Sequence, residues 1–163
     1  MQEPSGPPAN RSTVPVQSPA AAVGVLLVRP DGSLLMQHRD ARAPIGPNQW
    51  AFVAGALEPS ELPSDAALRE LREETGIQPE TELELYFCGD RPRSVGDGTT
   101  KWHVYYAATN LTDSDVIVGE GREIRFVTPS ELSTLKLTVS AQYFVSQFLG
   151  STEYSRCVRQ REQ

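Results

Sequence analysis

The order of apolar and polar residues along the chain predicts a series of short strands and two longer helices. Apolar runs at 20–29 (AAAVGVLLVR) and 33–39 (SLLMQHR) are separated by the triplet Pro-Asp-Gly at 30–32. Because proline fixes φ and glycine permits unusual values of it, this triplet favours a turn, and we predict a β-hairpin. The run WAFVA at 50–54 predicts a further short strand that leads into Gly55.

The second half of the chain predicts more strands and a helix. The predicted strands are ELELYFCG at 82–89, KWHVYYAAT at 101–109 and REIRFVT at 122–128. A polar, glycine-rich loop from Asp90 to Thr100 joins the first two. Thr128 and Glu131 have the spacing of a capping box. Residues 139–149 have helical spacing of apolar side chains, whereas the chain after Gly150 is polar and shows no periodicity.

The two ends of the chain differ in composition from its middle. The first 19 residues are rich in proline, serine and glycine and have few apolar anchors, so we expect a flexible leader at 1–19. We expect one domain at 20–150 and a polar tail at 151–163. The order of elements within the domain suits an α/β sandwich with a mixed sheet between helices.

An acidic helix is the central feature of the predicted domain. We expect it to begin near Pro63, a favourable first-turn residue, and to end at Gly76, which accepts the left-handed cap conformation. Ala67, Leu68 and Leu71 would dock one face of this helix on the sheet.

The composition restricts the classes of partner. With 163 residues, a net charge of −6 and a pI near 5.0, the chain has no basic stripe for a nucleic-acid polymer. Cys88 and Cys157 are too isolated for a disulfide framework or a zinc site, and we expect free thiols in a reducing compartment. No apolar run approaches the length of a membrane span. We therefore expect a cytoplasmic protein, either a monomer or a homodimer, without a membrane partner.

Glu70, Glu73 and Glu74 are three and four residues apart, so their carboxylates share one face of the helix. Like charges at this spacing repel, and a cation among them would offset the repulsion. Mg²⁺ prefers oxygen ligands and is often bound by one or two carboxylates together with substrate phosphates. An acidic run of this kind is also typical of a simple solvated face. Arg69 adjoins the group and is a candidate orienting partner for Glu61 or Glu73.

The surrounding residues decide between these alternatives. Residues 55–77, GALEPSELPSDAALRELREETGI, fill every defined position of Gly-x5-Glu-x7-Arg-Glu-(Ile/Leu/Val)-x-Glu-Glu-x-Gly-(Ile/Leu/Val). This segment resembles the Nudix box, and the strand-like segments around it fit the Nudix hydrolase family from about residue 20 to residue 149. The resemblance implies an α/β/α sandwich with a mixed, curved sheet. It also implies metal-dependent hydrolysis of a nucleoside diphosphate linked to another group, such as a nucleoside triphosphate, nucleotide sugar or ADP-ribose.

Transferred residue by residue, the resemblance implies roles for the box residues. Glu70, Glu73 and Glu74 become ligands of Mg²⁺, for which Mn²⁺ is a substitute, and the carbonyl of Ala54 becomes a backbone ligand. Glu61 becomes an outer ligand or an aid to orienting water.

The box does not fix which carboxylate accepts the proton of the attacking water. The base comes from the box helix, through Glu73 or Glu74, or from a later loop. In that later region Glu120 and Glu123 are the candidates, and either is equally explained as a surface charge.

Substrate contacts are less constrained by the resemblance. Arg39 stands where relatives often carry a phosphate-contacting arginine, with a surface role as the alternative. Trp102 is a candidate for stacking on a base, although aromatic residues on strands are more often core residues. Pro92 and the Ala-Gly pair at 54–55 are similar to Nudix ADP-ribose pyrophosphatases. The segment 42–50 resembles members that cleave nucleoside triphosphates.

Two departures from the common Nudix pattern concern the box loop. Ala54 and Ser60 occupy positions where many members have glycine, and the replacement restricts φ in a loop that approaches phosphates.

Two alternatives share the fold. An isoprenoid diphosphate isomerase relies on a catalytic cysteine and usually has a degenerate box, whereas a non-catalytic nucleotide sensor usually lacks box carboxylates. The intact box and the absence of a cysteine motif around Cys88 or Cys157 favour a hydrolase.

Overall fold

The computed structural model describes residues 17–119 and 121–159. Most of the predicted leader, the candidate base Glu120 and the last four residues of the predicted tail lie outside these described residues. None of the helices in the described ranges is long and apolar enough to cross a membrane.

Seven strands in the described residues form one mixed sheet. They are β1 (Ala21–Val28), β2 (Leu34–His38), β3 (Trp50–Ala51), β4 (Val53–Ala56), β5 (Glu84–Pro92), β6 (Thr99–Ala108) and β7 (Glu123–Val127). The main order is β3-β2-β1-β6-β5, and β4 pairs with β1 while β7 pairs with β2. The β1–β6 pair is parallel and the other pairs are antiparallel. The predicted mixed sheet and the β1–β2 hairpin are confirmed.

Helices cover both faces of the sheet. They are α1 (Pro63–Thr75), α2 (Pro129–Leu132), α3 (Val139–Leu149) and α4 (Thr152–Arg159). On one face α1 buries Ala67 and Leu71 in a cluster with the alternate β1 residues Val23, Val25 and Leu27. On the other face α3 packs Phe144 and Phe148 into a second cluster. The two cores confirm the predicted α/β sandwich.

The predicted strand at 50–54 is divided at Phe52. β3 pairs with β2, whereas β4 pairs with β1, so the chain changes its partner between them. The Phe52 ring lies directly over the backbone of Gly24, where a Cβ would overlap the ring. The glycine at position 24 therefore provides the space in which the strand changes partner.

The β5–β6 hairpin is longer than predicted. Pairing continues to Pro92 and Thr99, so the loop between the strands is shorter than the predicted segment from Asp90 to Thr100. Ser18 packs on this hairpin: its N–H donates to the Val95 carbonyl at 2.8 Å. The packed part of the chain thus includes the last residues of the predicted leader.

The interpretation of the chain after Gly150 as a segment without periodicity is wrong, because α4 lies there. Tyr154, Cys157 and Val158 have the i, i+3, i+4 spacing of a narrow helical face, and all three pack on the second core cluster. The Tyr154 hydroxyl donates to the Gly32 carbonyl at 2.8 Å. With only three apolar residues, this face is weak as a sequence signal and depends on the core for stability.

The predicted docking face of α1 is wrong at one residue. The side chain of Leu68 is 41% exposed, and Ala66 is buried in its place. Successive helical residues are separated by about 100° around the axis, so Ala66 and Leu68 lie on opposite sides of Ala67, and the core cluster covers the Ala66 side.

Candidate active site

Helix α1 presents the acidic residues, and its ends are where the sequence predicts them. Pro63 lies in the first turn, where its missing N–H removes no helical hydrogen bond. Gly76 adopts φ 71°, and its N–H donates to the Arg72 carbonyl at 2.8 Å. The left-handed conformation favours glycine, which explains why the helix ends there.

Arg69 holds three carboxylates of the box together. Its Nε and Nη2 donate to the two oxygens of Glu61 at 2.8 and 2.9 Å, a bidentate pair. Its Nη1 donates to Glu70 at 2.8 Å and to Glu73 at 3.2 Å. The hydrogen bond with Glu61 is the main cause that raises the pKa of Arg69, and the same bond lowers the pKa of Glu61. The contacts predicted for Arg69 are therefore present.

Two partners in this network were not predicted. Arg69 Nη2 also donates to the Ala56 carbonyl at 3.2 Å, which ties α1 to the end of β4. The Glu58 N–H donates to Glu61 at 3.2 Å, and the Glu58 carboxylate lies 3.9 Å from Arg69. Glu58 is three residues before Glu61, and residues at this spacing come together in a turn. The proximity of Glu58 to Glu61 was therefore deducible from the sequence.

Glu70 lies on the floor of the site. Its carboxylate rests against the backbone of Gly55, and a Cβ at that position would overlap it. Burial is the main cause that raises the pKa of Glu70, and the charge of Glu73 adds to it. Hydrogen bonds with Arg69 and Glu74 act in the opposite direction.

The three α1 carboxylates differ in environment. Glu74 is 6% exposed and is in hydrogen-bonding contact with Glu70, whereas the Glu73 side chain is 57% exposed and turned to Arg69. In the part of the chain that the structure describes, no three His, Cys, Asp or Glu side chains form a group arranged to hold a metal ion.

The chemistry of the inner pair nevertheless fits a hard divalent cation. Two carboxylates in contact repel each other when both are charged, and a cation between them offsets the repulsion. Glu70 and Glu74 are such a pair, and both supply the oxygen ligands that Mg²⁺ prefers. Ala54, the predicted backbone ligand, lies next to Gly55 on β4 and opposite Gly24 on β1.

A later loop is attached to the end of α1. The Ile117 N–H donates to the Thr75 carbonyl at 2.9 Å, and the Gly119 N–H donates to the Glu74 carbonyl at 2.8 Å. A Cβ at Gly119 would overlap the Glu73 carbonyl, so only glycine fits this approach. The structure thus brings the residue immediately before Glu120 to the acidic end of α1.

Glu123 is not brought to the α1 carboxylates. It begins β7, where its carboxylate pairs with Arg125 at 2.7 Å. Arg125 also forms a bidentate pair with Glu131, and its guanidinium lies 5.0 Å from the centroid of the Trp50 ring. Thr128 caps α2 by accepting from the Glu131 N–H, while the Glu131 carboxylate turns to Arg125.

The two candidate substrate residues make contacts outside the Arg69 carboxylate network. Arg39 follows β2, and its Nε donates to the Ile45 carbonyl at 2.7 Å, which organises the loop before β3. Trp102 packs on the sheet face opposite α1, with ring centroids 5.9 Å from Phe52 and 5.3 Å from Phe144. Trp102 is half-buried, so the core role weighed in the sequence analysis accounts for much of its surface.

The box loop retains a glycine-like conformation without glycine. Ser60 adopts φ 65°, in the left-handed region. The serine does not prevent this conformation, because the chain adopts the positive φ despite the Cβ. A non-glycine residue held there stores about 1–3 kcal/mol of strain.

Comparison with known proteins gives consistent results. A family model described as NUDIX domain matches residues 18–148. The chain is 30% identical over 128 residues to the nucleoside triphosphatase NudI of Enterobacter sp. (strain 638), covering 74% of this chain and 91% of the relative. Over 57 residues it is 39% identical to the RNA pyrophosphohydrolase of Marinomonas sp. (strain MWYL1), covering 35% of this chain and 32% of the relative.

A solved structure is similar over most of the chain. It is the bifunctional NMN adenylyltransferase/ADP ribose pyrophosphatase of Francisella tularensis, complexed with AMP and a Mn ion. The TM-score is 0.65 at 21% identity, and the match covers 88% of this chain and 43% of that chain. This likeness shows a shared fold.

Proposed function

Because the chain belongs to the NUDIX family and is a pyrophosphohydrolase, we propose that it hydrolyses a nucleoside diphosphate linked to another group. Cleavage of the phosphoanhydride would release a nucleoside monophosphate. The observation that carries this proposal is the Glu70 carboxylate, which is held against Gly55 beside Glu74 and fixed by Arg69.

Hydrolases of this family generally use divalent metals, and we propose Mg²⁺ here, with Mn²⁺ as a substitute. Glu70 and Glu74 would hold the cation, together with the Ala54 carbonyl, and Glu73 would join them by exchanging its contact with Arg69. When bound, the cation supplies positive charge against the phosphate oxygens and acidifies water.

The protein's own residues supply rigidity and charge. The bidentate pair of Arg69 and Glu61 fixes the loop after β4 against α1, so that the carboxylates do not have to be ordered when substrate binds. We propose Arg39, beside the loop before β3, as a phosphate contact and Trp102 as a base contact. The general base would be Glu73 or Glu74 of the box helix or Glu120 of the later loop, with Glu123 as a candidate only if it leaves Arg125. Glu61 would help to orient the attacking water.

The substrate is proposed at the level of a class. The relative named nucleoside triphosphatase and the structure named ADP ribose pyrophosphatase both fit a nucleoside diphosphate with a variable second group. The net charge of −6 supports a small nucleotide rather than a nucleic-acid polymer as substrate.

A substrate screen tests the class. Nucleoside triphosphates, nucleotide sugars, ADP-ribose and dinucleoside polyphosphates are incubated with Mg²⁺ in H₂¹⁸O, and the products are identified by mass spectrometry. We expect a nucleoside monophosphate among the products and ¹⁸O in one of the two phosphate products. An isoprenoid diphosphate is included as a further substrate, and its isomerisation without nucleotide release would support the isomerase instead. Nucleotide binding without turnover would support a sensor.

Chelation and substitution test the site. Activity should disappear with EDTA and return when Mg²⁺ is added. Glu70→Gln and Glu74→Gln should retain the fold, because each removes a repulsion, and should lower turnover by about a hundredfold or more. Glu82→Gln, at an exposed glutamate, is the matched control. Full turnover in excess EDTA would refute the metal site.

A further inference from the structure

We propose that the outer edge of β5 binds a second copy of this chain, with the two strands antiparallel about a twofold axis at Cys88. Within residues 17–119 and 121–159, β5 pairs with β6 on one side and with no strand on the other. An unpaired strand edge presents a row of N–H and C=O groups that template the addition of another strand.

A bulge in β5 leaves this edge accessible. The pairing register with β6 shifts between Leu85 and Phe87, so Tyr86 is the additional residue. Bulges often protect an edge by twisting it. Here the Tyr86 ring turns into the core, with its centroid 5.0 Å from that of Phe148, and its side chain does not cover the edge.

Twofold symmetry and charge pairing together select the register. In a twofold antiparallel pair, residues opposite each other lie on the same face and at equal distances from the axis. Because the bulge adds a residue to β5, positions along this strand are counted by their partners on β6. Cys88 pairs with His103. Glu84 is three β6 positions from Cys88 in one direction, and Arg91 is three positions away in the other. With Cys88 on the axis, Glu84 of each copy therefore lies opposite Arg91 of the other.

This register is complementary in charge. Six strand positions span about 20 Å, so Glu84 and Arg91 of one chain are too distant to pair with each other. A second copy brings each of them to one opposite charge, and the twofold symmetry makes two such pairs. Within its own chain Glu84 accepts from the Tyr106 hydroxyl, and Arg91 lies 3.6 Å from the Tyr143 ring centroid. Glu84 is nevertheless exposed and Arg91 half-buried, so both remain accessible.

The same strand carries apolar surface for the contact. The side chain of Leu85 is 54% exposed, one of the large exposed hydrophobic residues of the described chain. In this register Leu85 lies opposite Asp90 of the other copy, because each is two β6 positions from Cys88, and the added strand would cover part of the Leu85 surface.

Crosslinking through Cys88 tests the proposed axis directly. It is exposed, whereas Cys157 is buried. A short bismaleimide added to the full chain should link two copies through Cys88 in a yield that rises with protein concentration. The linked dimer should be lost in Cys88→Ser and retained in Cys157→Ser. Sedimentation of the untreated protein should show a monomer–dimer equilibrium.

A charge exchange separates this contact from effects on the fold. Glu84→Arg and Arg91→Glu should each weaken self-association by roughly tenfold, because each removes two symmetry-related pairs. The double variant should recover the dimer. The double variant does not restore the contacts with Tyr106 or Tyr143, so recovery of the dimer would be due to pairing between chains. Melting temperatures check that each variant is folded.

Three results would overturn the proposal. One is a monomer at every concentration, and another is a double variant that associates no better than the single ones. The third is a monomer in which Cys88 becomes more reactive to thiol reagents after residues 1–16 are removed, which would assign the β5 edge to that segment.

Discussion

The carboxylate of Glu70 lies against the backbone of Gly55, in the space that any larger residue at position 55 would fill. Glycine is required here for its lack of a Cβ. This contact sets how closely α1 approaches β4 and hence where the pair formed by Glu70 and Glu74 lies. The first glycine of the box and its later glutamate therefore act as one structural unit across the loop that separates them.

Gly55→Ala should inactivate the enzyme without unfolding it. The new methyl group overlaps a carboxylate at the end of a flexible side chain, which moves more easily than the backbone. A displacement of about 1 Å in a catalytic group lowers turnover by about a hundredfold. Turnover with the substrate found in the screen, together with circular dichroism, measures the two effects. Gly150→Ala is the matched control, because the nearest atom to its Cβ would be at an ordinary 3.7 Å. Equal activity of the two variants would contradict the argument.

Arg69→Lys should weaken metal activation although it preserves the charge. Lysine cannot form the bidentate pair with Glu61 and also reach Glu70 and the Ala56 carbonyl. Loss of a group that orients metal ligands typically costs about 10- to 100-fold in metal affinity or activity. The measurement is turnover as a function of Mg²⁺ concentration. Arg29→Lys, at the β1–β2 turn, is the control, and an unchanged Mg²⁺ midpoint in Arg69→Lys would count against an orienting role.

Local signals explain which parts of the structure were predictable from the sequence. The bounds of α1 follow from Pro63 and Gly76, each of which acts within one helical turn. The β1–β2 hairpin follows from the turn at 30–32 in the same way. The contacts of Arg69 with Glu61 were also deducible, because the box fixes their spacing and a planar guanidinium matches a carboxylate.

The remaining features depend on tertiary contacts that leave a weak local pattern. α4 has a narrow apolar face that becomes recognisable only when Tyr154 reaches Gly32, on the distant β1–β2 turn. The division of the strand at Phe52 depends on space above Gly24 in another strand. The pairing of Glu123 with Arg125, in contrast, was deducible, because residues i and i+2 of the strand predicted at 122–128 share one face.

Ser60→Gly should stabilise the protein. Ser60 holds φ at 65°, which glycine adopts without steric strain. Relief of strain, partly offset by the greater freedom of glycine in the unfolded chain, should raise the free energy of unfolding by about 1 kcal/mol. Denaturant titration measures this change. Asn48→Gly is the comparison, since asparagine tolerates its φ of 61° and should gain less. A lower free energy of unfolding in Ser60→Gly would show that the serine side chain stabilises the protein by more than its backbone strain destabilises it.

Truncation should locate the start of the packed domain between two neighbouring boundaries. Removing residues 1–16 should leave the melting temperature and turnover unchanged, because the contacts of Ser18 and Pro19 with the β5–β6 hairpin are kept. Removing residues 1–19 eliminates these contacts, including the 2.6 Å hydrogen bond from the Thr100 hydroxyl to the Pro19 carbonyl. Thr100 is buried, so the loss of its acceptor should lower the free energy of unfolding by about 1–3 kcal/mol.

Thermal denaturation and turnover of the two truncated proteins distinguish the boundaries. A large loss of turnover already in the shorter deletion would contradict this prediction and show that residues 1–16 contribute to the site.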